Sequence, residues 1–302
     1  MKRSIKSHGK LVGLIGHPIS HSWSPMIHET AFKITNQDYH YATFDVHPKN
    51  LREALKGLMA LGIVGCNVTI PHKEAVMEFI DELSADARLV GAVNTIHIEN
   101  DSLVGYNTDI DGVVEALKPY REQIADQSVT VFGAGGGARA AVYSLISYYH
   151  PAQIFVINRD VSRAELMKKF FSDSQNYNNL KVVELHNLDE GNVIESSRLV
   201  INATSVGMSP SPDENVMTAD PKDLEGKIFF DLVYNPVETR FLRDARKKNA
   251  TTVSGIDMLY NQAAKSFEIW TGMSMPLDKV RAKLDPRFIA ARVTARRKTV
   301  VH

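Results

Sequence analysis

Cysteine is almost missing from this chain: Cys66 stands alone, which excludes an internal disulfide framework and any metal centre built from several thiolates. An excess of either charge is missing too. Lys and Arg number 35, matched by 35 Asp and Glu, so no broad basic face for nucleic acid is implied. The apolar run at residues 11–15 is broken by Gly13 and is too short for a signal-peptide core or a membrane span. With no export signal expected, the cytoplasm is the default compartment. The 11 His residues are scattered, without a His-Glu-x-x-His spacing, and no metal is expected. His21 and His28 are seven apart and could share a helix face.

What remains is a chain of 302 residues, 44% apolar and 23% charged, the composition of a globular protein long enough for two domains. Short apolar runs alternate with longer amphipathic stretches almost from end to end, the pattern of βαβ units. The expected fold class is therefore α/β. In the first part, strands are expected at 11–15, 39–46 and 66–70, and a hairpin at 93–97 and 103–106 turns at Asn100-Asp101. Ser24 followed by Pro25 reads as an N-cap hydroxyl and a proline in the first turn of a helix running to Ile34. A helix from Asp109 to about Tyr120 leads into a second set of strands at 128–132, 154–158, 181–185, 199–203, 228–233 and 251–253. The helix expected at 258–271 is long and apolar, and should pack back on the first domain. The domains expected are thus 1–108 plus 258–302, and 109–257. Residues 285–302, rich in Arg, read as a loosely ordered basic tail.

The run ending at Phe132 opens directly into Gly133-Ala134-Gly135-Gly136-Gly137-Ala138 and then a helix. Glycine permits the tight turn and the close approach of backbone to pyrophosphate, and the helix N-terminus offers unpaired N–H groups. A Rossmann-type dinucleotide site is expected here. The next strand ends at Asn158-Arg159-Asp160, where an NAD-selective site usually carries an acidic residue for the ribose. Arg159 and Arg163 are placed to bracket a 2′-phosphate, which favours NADP over NAD. Asp160 complicates this: it suits the N-cap of the helix at Val161, but turned outward it would repel that phosphate.

Gly16-His17-Pro18-Ile19-Ser20-His21-Ser22-Trp23-Ser24-Pro25, Asn67-Val68-Thr69-Ile70-Pro71-His72-Lys73 and Gly105-Tyr106-Asn107-Thr108-Asp109 stand in the order and spacing of one family. With Gly91 through Thr95, Asn202-Ala203-Thr204, Asp231 through Tyr234 and Gly255 through Gln262, the chain from about 11 to 284 resembles the shikimate dehydrogenases. The resemblance implies an N-terminal substrate domain completed by a C-terminal helix, and reversible reduction of 3-dehydroshikimate to shikimate by NADPH. It implies Lys73 and Asp109 as the catalytic pair. Ser22 and Ser24 would hold the substrate carboxylate, with Tyr234 within reach of it, while Thr69, Asn94 and Gln262 would read ring hydroxyls. Thr204 and Leu232 would line the cofactor, and Gly255 would bring backbone close to the nicotinamide. Met258 shares a helix face with Gln262 and reads as core, and Trp23 as a wall of the cleft.

Two other readings stand beside this one. A quinate/shikimate relative using NAD shares the motifs. A catalytically idle dinucleotide-binding sensor would share the fold but has no need of Lys73 with Asp109. The partner in either enzymatic case is a small molecule, handled by a monomer or homodimer.

Overall fold

The computed structural model describes residues 9–20, 22–186, 190–222 and 224–284. The basic tail and His21 lie outside them. The chain runs through β1 (Lys10–Gly16), α1 (Ser24–Ile34), β2 (Tyr39–Asp45), α2 (Leu51–Ala60), β3 (Gly65–Val68), α3 (His72–Ala75), β4 (Glu82–Leu83), α4 (Ala85–Val90), β5 (Thr95–Glu99) and β6 (Ser102–Tyr106). It continues with α5 (Asp109–Leu117), α6 (Arg121–Ile124), β7 (Ser128–Phe132), α7 (Gly136–Ser144), β8 (Gln153–Asn158), α8 (Val161–Gln175), β9 (Leu180–Glu184) and α9 (Glu190–Ser196). The last elements are β10 (Leu199–Asn202), β11 (Ile228–Asp231), α10 (Arg240–Lys247), β12 (Thr251–Val253), α11 (Gly255–Thr271) and α12 (Leu277–Lys283).

Two sheets result. The first has the order β2-β1-β3-β5-β6-β4, parallel across β2, β1 and β3, with β5 antiparallel to both of its neighbours. The second has the order β12-β11-β10-β7-β8-β9 and is parallel throughout. Its central strands are apolar along their length because helices cover both faces: every residue of β10 and β11 is buried. Val131 pairs with Ile201 on one side and Val156 on the other. The strand order reverses between β7 and β10, and the crevice beyond the ends of those strands is the usual ligand position of a doubly wound sheet.

α11 carries Leu259, Ala263, Phe267 and Trp270 into the core formed by Val12, Leu14, Ile27 and Phe32 of the first sheet and α1. Tyr39 Oη donates to the Trp270 carbonyl at 2.9 Å, and Trp270 Nε1 to the Ile96 carbonyl at 3.0 Å. The helix starts at Gly255, one turn before the expected Met258, because Ser254 supplies the cap by accepting from Ile256 N–H. Met258 is buried in the core that joins α5 to the second sheet.

Three local expectations are corrected. Ser24 does not cap α1: Trp23 holds the N-cap position without a side-chain bond, and Ser24 is already helical. Trp23 is not a cleft wall. It is fully buried and packs beneath the cleft with its ring 5.6 Å from that of Tyr234. The α5 helix is also shorter than expected, passing at Lys118 into a 3-10 turn that contains Pro119.

Candidate active site

Lys73 stands on the first turn of α3, and Asp109 on the first turn of α5. Nζ of Lys73 donates to Oδ2 of Asp109 at 2.5 Å, with the lysine side chain 16% and the aspartate 5% exposed. The second carboxylate oxygen is held by Asn94, whose Nδ2 donates to Oδ1 at 2.9 Å. Asn94 Oδ1 in turn accepts from Thr108 N–H at 2.7 Å. The amide of Asn94 thereby fixes both the helix start and the carboxylate. Behind it, Asn67 accepts from Tyr41 Oη at 2.7 Å and donates to Thr95 Oγ1 and Ser266 Oγ, each at 3.0 Å. This buried network leaves Asp109 no freedom to turn away from Lys73.

Ser22 and Ser24 are joined through their hydroxyls at 3.3 Å. Tyr41 and Tyr234 flank them, their phenols pushed up by burial while hydrogen bonding to Ser24 and Ser22 respectively works the other way. Gln262 is buried on α11, its Nε2 donating to the Leu259 carbonyl at 3.0 Å and its Oε1 accepting from Thr108 Oγ1 at 3.4 Å. Thr69 is half-buried at the end of β3, where its methyl fills the space that a side chain on Gly16 would need. His28 is buried with no hydrogen-bond partner at either ring nitrogen, and its ring stacks on Tyr41 at 4.7 Å. Burial lowers it to about 3.

The glycine loop fits a dinucleotide. Gly133 has φ +108°, and a Cβ there would stand 3.1 Å from the Ala203 carbonyl and the Thr204 methyl. Such a backbone suits glycine and leaves the loop bare above the switch point. Gly137 lies beneath Leu232. At Gly255 a Cβ would stand 2.7 Å from the carbonyls of Asp231 and Val233. Ala134 and Ala138 are buried beside this loop.

Sequence reasoning missed what holds these strand ends. Asp231 is wholly buried. It accepts from Asn202 Nδ2 at 3.0 Å, from Val233 N–H at 2.9 Å and from Thr239 Oγ1 at 2.5 Å. Burial pushes its carboxyl up to about 7 against the pull of those donors. Asn202 also accepts from Thr204 Oγ1 at 2.7 Å, so one carboxylate organises the segments that carry Thr204 and Leu232.

At the end of β8, Asn158 Nδ2 donates to the Asp160 carbonyl at 2.7 Å. Asp160 Oδ1 accepts from Arg163 N–H at 3.2 Å. Its carboxylate is turned into the helix start, the capping geometry rather than the outward one. Arg159 is exposed. Arg163 extends across the cleft to Glu74, which also accepts from Arg139 Nε at 3.2 Å.

Known proteins match this chain along most of its length. A family model for the shikimate dehydrogenase substrate binding domain matches residues 14–96, one for shikimate / quinate 5-dehydrogenase matches 115–255, and one for the shikimate 5′-dehydrogenase C-terminal domain matches 255–284. The shikimate dehydrogenase (NADP(+)) of Methanocaldococcus jannaschii is 41% identical over 277 residues, covering 92% of this chain and 96% of that one. A solved shikimate dehydrogenase in complex with NADP+ superimposes with a TM-score of 0.83 at 39% identity, over 94% of this chain and 96% of the other. Shikimate 5-dehydrogenase from Listeria monocytogenes, in complex with shikimate and NAD, gives 0.81 at 33% identity, over 94% and 99%.

Proposed function

Because this chain belongs to the shikimate dehydrogenase family, we propose that it reduces 3-dehydroshikimate reversibly to shikimate with NADPH. The observation that carries the proposal is the buried contact between Lys73 and Asp109 at 2.5 Å, set beside a glycine loop shaped for a dinucleotide. NADPH, when bound, supplies the hydride. The chain supplies the rest. Lys73 donates a proton to the substrate oxygen as the carbonyl becomes an alcohol, and Asp109 keeps the ammonium aimed while Asn94 keeps Asp109 aimed. Ser22 and Ser24, with Tyr234 beside them, hold the substrate carboxylate through hydroxyl hydrogen bonds. Thr69, Asn94 and Gln262 read ring hydroxyls, so an analogue lacking a hydroxyl leaves buried polar groups unpaired.

Gly133 through Ala138 take the pyrophosphate at the start of α7, Thr204 and Leu232 line the cofactor, and Gly255 brings backbone close to the nicotinamide. Solved relatives hold either nicotinamide cofactor, so residues of this chain must decide between them. Asn158 and Arg159 replace the acidic ribose ligand of NAD sites, and Asp160 is turned away. Those features, with Arg163 near, support NADP. The described residues of 1–108 and 258–302 form the substrate domain and those of 109–257 the cofactor domain, working in the cytoplasm as a monomer or homodimer. The test is a matrix of shikimate and quinate against NADP and NAD. Shikimate with NADP should give the highest kcat/KM; a quinate or NAD maximum overturns the assignment, and binding of NADP without turnover restores the idle-sensor reading.

A further inference from the structure

Arg163 is not free to receive a phosphate in this structure. Its Nη2 is bonded to Glu74, the residue after the catalytic lysine. The same nitrogen lies 3.5 Å from where a Cβ of Gly135 would be. The guanidinium therefore covers the glycine loop at the point a dinucleotide must approach. Glu74 is bonded to a second arginine of different character. Arg139 side chain is 13% exposed, with its guanidinium over the Phe170 ring at 4.8 Å and Nη1 donating to the Val90 carbonyl at 3.4 Å. Arg163 is 52% exposed and makes no other side-chain bond among the described residues. One partner of Glu74 is buried and held by further contacts, and the other is half exposed with Glu74 as its one side-chain partner among the described residues.

We infer that Glu74 is the resident competitor of the cofactor's 2′-phosphate for Arg163: it holds the guanidinium across the glycine loop until the phosphate takes it. This rests on NADP being the cofactor. The exchange leaves no unpaired charge, because Arg139 keeps Glu74 neutralised after Arg163 departs and the phosphate neutralises Arg163. It also ties cofactor arrival to the α3 segment, since Glu74 is adjacent to Lys73 and α3 gives up a bond to α8 when the exchange occurs. Glu74 is a positioning residue for the affinity of the site, acting through Arg163 and touching no reacting atom.

The test is calorimetric titration of the full chain with NADP, without turnover. Glu74→Gln should tighten NADP about fivefold, the scale of one partly exposed ion pair. Arg163→Ala should weaken it, and in the Arg163→Ala background Glu74→Gln should have no effect on Kd, a non-additivity that a merely structural role would not produce. Glu74→Asp keeps a charge beside Arg139 while shortening the reach to Arg163, and should tighten NADP in the same direction if Glu74→Gln fails to fold. Unchanged or weaker binding in the Glu74 variants overturns the exchange; weaker binding would mean that Glu74 aims Arg163 at the phosphate. A chain that binds no NADP overturns the cofactor reading as well, which separates the two failures.

Discussion

A Cβ placed on Gly136 would lie 2.7 Å from the Cβ of Lys73. The dinucleotide loop of one sheet and the proposed proton donor of the other are thus in direct contact, and the contact exists because residue 136 has no side chain. Lys73 meets that loop through its Cβ, an atom fixed to the backbone, so the segment cannot yield by a simple rotation. Val93 N–H donates to the Lys73 carbonyl at 2.8 Å, which holds the segment from behind.

Gly136→Ala should therefore impair catalysis more than folding. An added methyl must push α3 or the loop by several tenths of an ångström, and a misplacement near 1 Å costs on the order of 100-fold in rate. A fall in kcat/KM of about that size is expected, with a Tm within a few degrees of the parent chain. Unchanged kcat/KM would show that the two segments separate in the working enzyme.

Lys73→Ala should lower kcat by about 100- to 10,000-fold, the range for loss of a positioned acid or base. Binding of shikimate, measured by calorimetry, should change much less. A parallel loss of kcat and of shikimate affinity would recast Lys73 as a binding residue.

Arg159→Ala should raise KM for NADPH and leave KM for NADH nearly unchanged. A charge-assisted hydrogen bond is worth about 1.5–3 kcal/mol, which corresponds to roughly 10- to 150-fold. Equal effects on both cofactors would place Arg159 away from the 2′-phosphate.

His28 supplies a stability prediction whose sign follows from its burial. Its folded pKa of about 3 lies below the ordinary 6.5, so below pH 6.5 the unfolded chain binds a proton that the folded chain refuses. The resulting stability is full above 6.5 and is lost as pH falls toward 3, by about 2 kcal/mol at pH 5. His28→Phe retains a ring against Tyr41 and removes two unpartnered nitrogens. Denaturant melts at pH 5 and 7.5 should show a smaller acid loss in the variant. An identical loss would assign the acid sensitivity to other groups.

The elements legible in the sequence were those whose cause is local. Ser128–Phe132 reads as a strand because it is a short apolar run, and the glycines after it read as a turn because Gly133 needs φ +108°. Asp160 as a cap followed from its place before Val161, and the structure agrees. The Ser24 cap did not follow, since hydroxyl and proline signals leave the first helical residue uncertain by one position. The short β4, α4 and α9 carry too few residues for a periodic signal.

By itself the sequence determined the α/β alternation, the glycine loop and the family motifs, because each depends on backbone requirements or spacing within a few residues. Only the tertiary structure decided the partners. Glu74 meets Arg163 across 89 positions of chain. Trp23 lies inside rather than on the cleft, and Asp231 gathers Asn202 and Thr239. Such pairings depend on where whole elements pack, and ion pairs or buried hydrogen bonds between distant segments leave no periodicity in the sequence from which they could be read.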